Sequence, residues 1–226
     1  MSQTVDAPPA HVVVVVPHYN RGRFLVSLLE NLKQTQDSRW SMLVSDSGSD
    51  DVDLEQLKRD NPGLFDYVQH PCESFIIGKA SDDGCNAAAC KFPDAIIYIT
   101  DVDIQYPTDV FCRIRTHTQL GKTFYSPIVS LQKRDGTLYG EGKDDHNGRG
   151  QIGIFAEDFT KSGGWKKSKY MDSAEWGGQD THFRNSLKRS GLIEKRMPSY
   201  DMISQWHPRE HTWYKPGKTN KGHVWW

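Results

Sequence analysis

The chain is short of cysteine, of long apolar runs and of any excess of charge. Its four cysteines, Cys72, Cys85, Cys90 and Cys112, form no CxxC pair and no spacing that resembles a zinc site, so they are expected to be reduced and incidental. The longest apolar run near the start, residues 12–16, is far too short to cross a bilayer, and no basic segment leads into a signal-type core. No membrane segment is therefore expected in this chain. A formal net charge of -1 removes any general argument for a nucleic-acid partner.

What is present suits a soluble globular protein. An apolar fraction of 36% beside 25% charged residues is ordinary for that class, and 226 residues can bury a substantial core as one compact unit. Residues 1–10 read as a disordered leader, residues 11–207 as a catalytic domain and residues 208–226 as a flexible tail. The tail carries Arg209, Lys215, Lys218 and Lys221 against Glu210, with Trp213, Tyr214, Gly217 and Gly222 among them. Such a segment can be a lid that orders over a bound phosphate-bearing ligand, or a solvated terminus.

Strand and helix signals alternate along the first hundred residues. Residues 11–16 are a β-branched run stopped by Pro17, which suits a strand buried on both faces of a parallel sheet. Phe24, Leu25, Leu28, Leu29 and Leu32 recur at helical spacing, and residues 40–45 read as a second strand broken by turn formers at 46–51. Residues 54–59 look helical and residues 67–70 like a short strand. Ser81 with Asp82 and Asp83 reads as a helix start running into residues 86–91, before another buried strand at 96–100. This order predicts a doubly wound α/β layer with a mostly parallel central sheet flanked by helices. Ligands in such sheets gather at the carboxyl ends of strands, where the polar clusters at 19–21, 46–51 and 101–103 all fall.

Asp101-Val102-Asp103 lies just past a strand, so alternate residues point one way. Asp101 and Asp103 can both face one Mg²⁺ or Mn²⁺ ion while Val102 packs behind, or they can be two solvated turn carboxylates. Trp176-Gly177-Gly178-Gln179-Asp180 is less generic. The indole offers a flat face for sugar rings, the glycines permit close backbone approach, and Gln179 and Asp180 open a helix that stops at Gly191. In that first turn Asp180 is either a directed general base or a partner for the helix dipole. His207, flanked by Trp206 and Pro208 after a last short strand at 202–204, is either a third metal ligand or an ordinary surface or core histidine. Asp144-Asp145-His146, in a glycine-rich stretch, is a rival constellation for a hydrolase-type metal centre, although adjacent side chains seldom converge on one ion; a mobile active-site loop is the better reading, with Asp145 a candidate contact for the ligand.

Together these residues resemble a known family. Pro17-x-Tyr19-Asn20-Arg21, Asp46-x-Gly48-Ser49 and Asn86, fifteen residues before Asp101, follow the pattern of inverting glycosyltransferases with the Rossmann-like GT-A fold. Asp101-Val102-Asp103-Ile104, Gly121-Lys122-x-Phe124-Tyr125, Leu138-Tyr139-Gly140, Gly163-Gly164-Trp165, the Trp176–Asp180 segment and Trp206-His207 run in the order seen in chondroitin N-acetylgalactosaminyltransferases and chondroitin polymerases, and more distantly in β1,4-galactosyltransferases.

The resemblance implies roles residue by residue. Pro17, Tyr19, Arg21 and Asp46 would hold uridine, Lys79 would face the donor, and Asp101 with Val102 would lie at the ribose and the metal. Asp103 and His207, with Asp101, would bind Mn²⁺ or Mg²⁺. Asp180 would be the base, with Trp176, Gly177, Gly178 and Gln179 against the sugars. Two departures stand out: Gln179 replaces the usual Glu, and Ser47 replaces an acid common after Asp46. The implied function is transfer of a hexosamine, GalNAc by preference, from a UDP-sugar to a saccharide hydroxyl, such as that of a glucuronate-terminated chain, giving a β bond. Galactosyl, GlcNAc or glucuronosyl transfer on the same scaffold, a catalytically silent sugar- or nucleotide-binding partner, and a nucleotide-sugar hydrolase are the alternatives. The chain as given is expected to be soluble, in the cytoplasm or, if excised from a longer anchored protein, in the Golgi lumen.

Overall fold

A computed structural model describes residues 9–71, 75–139, 150–167 and 178–208. The first strand, β1 (Val12–His18), is buried throughout, and its five valines sort by the two-residue period of a strand. Val12, Val14 and Val16 enter the apolar cluster on one face of the sheet, and Val13 and Val15 enter the cluster on the other. Burying each such side chain is worth about 1.5–3 kcal/mol, and a strand wet on one face would forfeit half of them.

Helix α1 (Gly22–Lys33) lays Leu25, Leu28, Leu29 and Leu32 onto the first cluster. Strand β2 (Trp40–Asp46) follows, then α2 (Leu54–Asp60), whose Asp53 cap accepts a hydrogen bond from the Gln56 amide at 2.8 Å, then β3 (Phe65–Gln69). Helix α3 (Ile77–Lys91) covers the second face and leads into β4 (Ile96–Ile99). The short β5 (Ile104–Gln105) and α4 (Val110–His117) come next, followed by β6 (Thr123–Gln132), β7 (Leu138–Tyr139) and β8 (Ile152–Phe155). Helix α5 (Ala156–Ser162), a 3-10 turn (Gly164–Lys167), α6 (Gln179–Arg189) and β9 (Ile193–Ser204) complete the described chain.

The sheet runs β3-β2-β1-β4-β8-β6-β9-β5, with β7 on the side of β6. Strands β1 to β4 are parallel, with Val12 opposite both Trp40 and Ile96. Strand β8 runs against both β4 and β6, so β6 and its parallel partner β9 point the same way as β1, while β5 and β7 run against their neighbours. The expected mostly parallel α/β domain is what forms. Among the described residues no helix is long and apolar enough to cross a membrane.

Three local expectations need correction. Pro17 does not stop the first strand, which continues through it to His18 with Pro17 opposite Ser45 and His18 opposite Asp46. Helix α3 starts at Ile77, not at Ser81, which places Ser81 and Asp82 inside the helix and buried. Asp82 can be buried because its carboxylate accepts from the Trp165 amide at 3.0 Å and the Asn86 side-chain amide at 2.9 Å. The last strand covers twelve residues rather than three. It is held by parallel pairing to β6 across a bulge at Ile128/Ser130, so its mixed, largely polar sequence shows no apolar run.

Candidate active site

Strand order makes the site. From β1 the chain crosses to β2 on one side, while β4 pairs with β1 on the other, and the carboxyl ends of these strands border one crevice. The loop after β1 carries Asn20 at φ 46, the one positive-φ residue other than glycine among the described residues. Its amide donates to Ser49 Oγ at 2.9 Å and its Oδ1 accepts from the Asp50 amide at 3.0 Å, joining the loops after β1 and β2. The N-terminus of α1 is met by Asp51, whose Oδ2 accepts from the Gly22 amide at 2.7 Å.

Asp46 is fully buried at the end of β2. Burial alone would raise its pKa, but the side chains of His18 and Ser49 and the amides of Ser49 and Gly48 all hydrogen-bond to it and hold it at about 2. His18 Nδ1 is 3.0 Å from Oδ1, and the Gly48 and Ser49 amides are 3.0 and 3.1 Å from Oδ2. In this structure Asp46 organises the loop. Pro17 is buried in β1, and Tyr19 stacks on Phe75 with centroids 6.1 Å apart.

At the end of β4, Val102 is 6% exposed and packs into the first cluster, leaving only its backbone to face a ligand. Asp101 meets the Gln151 side chain, and Asp103 faces Arg21 and His207. The pairing of β5 with β9, extended by a 2.8 Å hydrogen bond from the Gln205 amide to the Asp103 carbonyl, carries His207 to this point. His207 Nε2 lies 3.0 Å from Asp103 Oδ2 and 2.6 Å from Arg21 Nη1, and Arg21 Nη1 is 3.8 Å from the same carboxylate. The imidazole also meets the Phe24 ring edge-on at 5.7 Å. Its Nδ1 lies 3.1 Å from the Pro208 carbonyl, an acceptor that favours a proton on Nδ1, and Nε2 faces Arg21 and Asp103.

Asp101 is pushed up to about 7 by burial first, then by the negative charges of Asp103 and Asp180. Gln151 and Arg21 act in the opposite direction. Asp180 therefore shares one electrostatic field with the other two carboxylates. It sits half-buried in the first turn of α6, after Gly178 at φ 88 and beside buried Gln179. The helix is anchored by Phe183, which stacks on Trp165 at 4.4 Å, and Trp165 is tied to α3 through Asp82.

Other expected residues stand apart or cannot be placed. Lys79 is exposed on α3 and ion-paired with Asp83. Trp176, Gly177, Asp144, Asp145, His146 and the tail after residue 208 lie outside the described residues. Sequence reasoning did not single out Gln151 or the pairing of Arg21 with His207; neither leaves a local signal.

A depression of about 260 Å³ lined by Asn20, Arg21, Arg23, Phe24, Asp51, His207 and Pro208 opens beside this cluster. A second, of about 290 Å³, lies at the far ends of β2 and β3, away from the carboxylates. Among the described residues no three His, Cys, Asp or Glu side chains already encircle one ion, and a guanidinium stands at the Asp103–His207 pair. The donor set nonetheless fits a hard divalent cation. Carboxylate oxygens and an imidazole, whose Nδ1 is satisfied by a carbonyl, are suitable ligands, and the repulsion of Asp101 by Asp103 and Asp180 is a charge arrangement that a cation would relieve.

Similarity to known proteins agrees with this geometry. The chain is 25% identical over 205 residues to the mouse (Mus musculus) N-acetyl-beta-glucosaminyl-glycoprotein 4-beta-N-acetylgalactosaminyltransferase 1, covering 88% of this chain and 19% of that protein. It is 26% identical over 222 residues to human (Homo sapiens) chondroitin sulfate N-acetylgalactosaminyltransferase 1, covering 87% and 40%. The chain thus spans less than half the length of these relatives. Among solved structures, the Pyrobaculum calidifontis mannosyltransferase PcManGT in complex with GDP-Man and Mn²⁺ superposes with a TM-score of 0.60 at 16% identity, covering 92% of this chain and 61% of that one. S. aureus TarS 1-349 in complex with UDP-GlcNAc does so with 0.62 at 15% identity, covering 89% and 60%. These likenesses establish a GT-A fold. With Glycosyl transferase family 2 matching residues 13–175, more than half the chain, the protein belongs to that family.

Proposed function

We propose that this chain is an inverting, metal-dependent glycosyltransferase that moves GalNAc from UDP-GalNAc to a saccharide hydroxyl, with a glucuronate-terminated chondroitin-type chain as the acceptor. The observation that carries the reading is the grouping of Asp101, Asp103, Asp180, Arg21 and His207 in one crevice at the strand ends. The donor sugar and acceptor are suggested by two relatives that are N-acetylgalactosaminyltransferases, one of them named for chondroitin sulfate.

In this reading Pro17, Tyr19, Arg21 and Asp46 form the nucleoside side of the site, Asp46 by holding the loops in shape. Asp101, Asp103 and His207 would hold Mn²⁺ or Mg²⁺, which would supply positive charge against the negative charge of the departing diphosphate. Arg21 leaves the Asp103–His207 pair for the diphosphate, and Lys79 exchanges Asp83 for the donor. The backbone of Val102 borders the ribose. Trp176, Gly177, Gly178 and Gln179 flank the sugars. Asp180 accepts the proton of the acceptor hydroxyl as that oxygen bonds to the anomeric carbon, and the bond from that carbon to the UDP oxygen breaks on the opposite face. One displacement converts an α-linked donor into a β-linked product.

The structural likeness to TarS in complex with UDP-GlcNAc favours GlcNAc as the second donor to try. The deciding experiment is UDP release from UDP-GalNAc, UDP-GlcNAc, UDP-Gal, UDP-Glc and UDP-GlcA, with Mn²⁺ or EDTA, with and without a glucuronate-terminated chondroitin oligosaccharide. Mn²⁺-dependent release stimulated by acceptor is expected from UDP-GalNAc. Release indifferent to acceptor would point to hydrolysis, and binding without turnover to a silent partner.

A further inference from the structure

Gln151 immediately precedes β8, the strand that runs against its neighbours in the middle of the sheet. Because β8 is antiparallel to β4, with Ile152 opposite Ile99, its beginning lies beside the end of β4, where Asp101 emerges. A parallel strand in the same place would bring its far end there instead. The Gln151 side chain is 1% exposed, and its Nε2 donates to Asp101 Oδ2 at 2.9 Å. Gly150 closes the same side of the carboxylate: a Cβ there would lie 3.0 Å from Oδ2.

The orientation of this amide is determined by its partner. With Nε2 towards Asp101 the amide stabilises the charged carboxylate, whereas turning it over would set Oε1 against that charge. Oε1 is thereby left buried without a hydrogen-bond partner among the described residues, an arrangement that costs stability. A leucine of similar volume would avoid that cost but could not donate. A lysine or arginine would donate but would neutralise the carboxylate. Glutamine anchors one oxygen and keeps the charge, while no donor among the described residues reaches Oδ1.

We propose that Gln151 is a positioning residue for Asp101: its amide fixes Oδ2 and so reserves Oδ1 for the divalent cation. This rests on the function proposed above and adds a residue to it. Partners that orient a metal-binding carboxylate act through it, and their loss typically weakens metal affinity by about 10–100-fold.

The test is Mn²⁺ titration of the whole chain with saturating UDP, reading free Mn²⁺ by electron paramagnetic resonance, alongside thermal melting without metal. Gln151→Leu is expected to weaken Mn²⁺ binding by about 10–100-fold while melting at or above the wild-type temperature. In an Asp101→Ala background the same substitution should add less than about twofold, because the residue through which it acts is gone. Gln151→Met is the substitute if the leucine variant does not fold. Wild-type affinity in the folded Gln151 variant, or a full additional loss in the Asp101→Ala background, overturns the positioning role while leaving the transferase reading intact. A wild-type chain that binds no Mn²⁺ with UDP overturns both.

Discussion

Arg21 Nη1 lies 2.6 Å from His207 Nε2, although 186 residues separate them. The pair joins the loop after the first strand to the segment after the last, and Asp103 sits against both. A cation held by Asp103 and His207 must displace the guanidinium, which is then available for a diphosphate.

Metal binding should therefore be visible as stability. A ligand that binds the folded state at a hundredfold excess over its Kd stabilises by about 2.7 kcal/mol. Mn²⁺ with UDP should raise the melting temperature of the wild type, and His207→Ala should remove most of that rise without lowering the melting temperature in EDTA by a comparable amount. An equal Mn²⁺ shift in His207→Ala would remove the histidine from the ligand set.

Asp180→Asn keeps the size of the side chain at the start of α6 but cannot accept the hydroxyl proton. Its kcat should fall by about 10²–10⁴-fold, the usual worth of general-base help. UDP affinity, measured by calorimetry, should stay close to that of the wild type. A loss confined to KM would place Asp180 in binding rather than proton transfer.

The His18–Asp46 pair predicts an acid-sensitive component of stability. Asp46 is held at about 2, below the ordinary aspartate value of about 4, so its contribution is present above about pH 4 and is lost as pH falls through about 2. The shift corresponds to roughly 2 kcal/mol, since each pKa unit is about 1.4 kcal/mol. Urea melts of the wild type and Asp46→Asn should differ most near neutral pH and converge towards pH 2. Parallel curves across that window would contradict it.

Gly84→Ala sets helix propensity against packing. In the middle of α3 alanine gains about 1 kcal/mol over glycine. Its Cβ, however, would lie 2.7 Å from Val15 Cγ1 and 3.0 Å from Ser45 Cβ, both on central strands. Overpacking of this kind costs about 1–3 kcal/mol. The clash should win, leaving the variant roughly 1 kcal/mol less stable by urea denaturation.

Much of the first half was legible because its signals are local. The valine run of β1 and the leucine spacing of α1 each encode burial within a few residues, and both elements form where those patterns lie. Ser81-Asp82-Asp83 looked like a helix start because such residues favour caps, yet Asp82 is buried and satisfied by an amide 83 residues away. Strand β9 was read as three residues because its stability comes from pairing with β6 rather than from its own apolar pattern. Gln151 left no signal, since a lone glutamine acquires a role only when an antiparallel strand places it beside Asp101.

The sequence by itself determined the alternation of strands and helices, the two-faced burial of the central strands, and the placing of Asp46, Asp101 and Asp103 at strand ends. Those features follow from side-chain periodicity, which is a property of neighbouring residues. Tertiary structure decided which ends meet. Reversal of β8 gave Asp101 its amide partner, and the β5–β9 pairing brought His207 to Asp103 and Arg21. Both depend on backbone hydrogen bonds between distant segments, and the charge felt by each carboxylate exists only after those segments have packed.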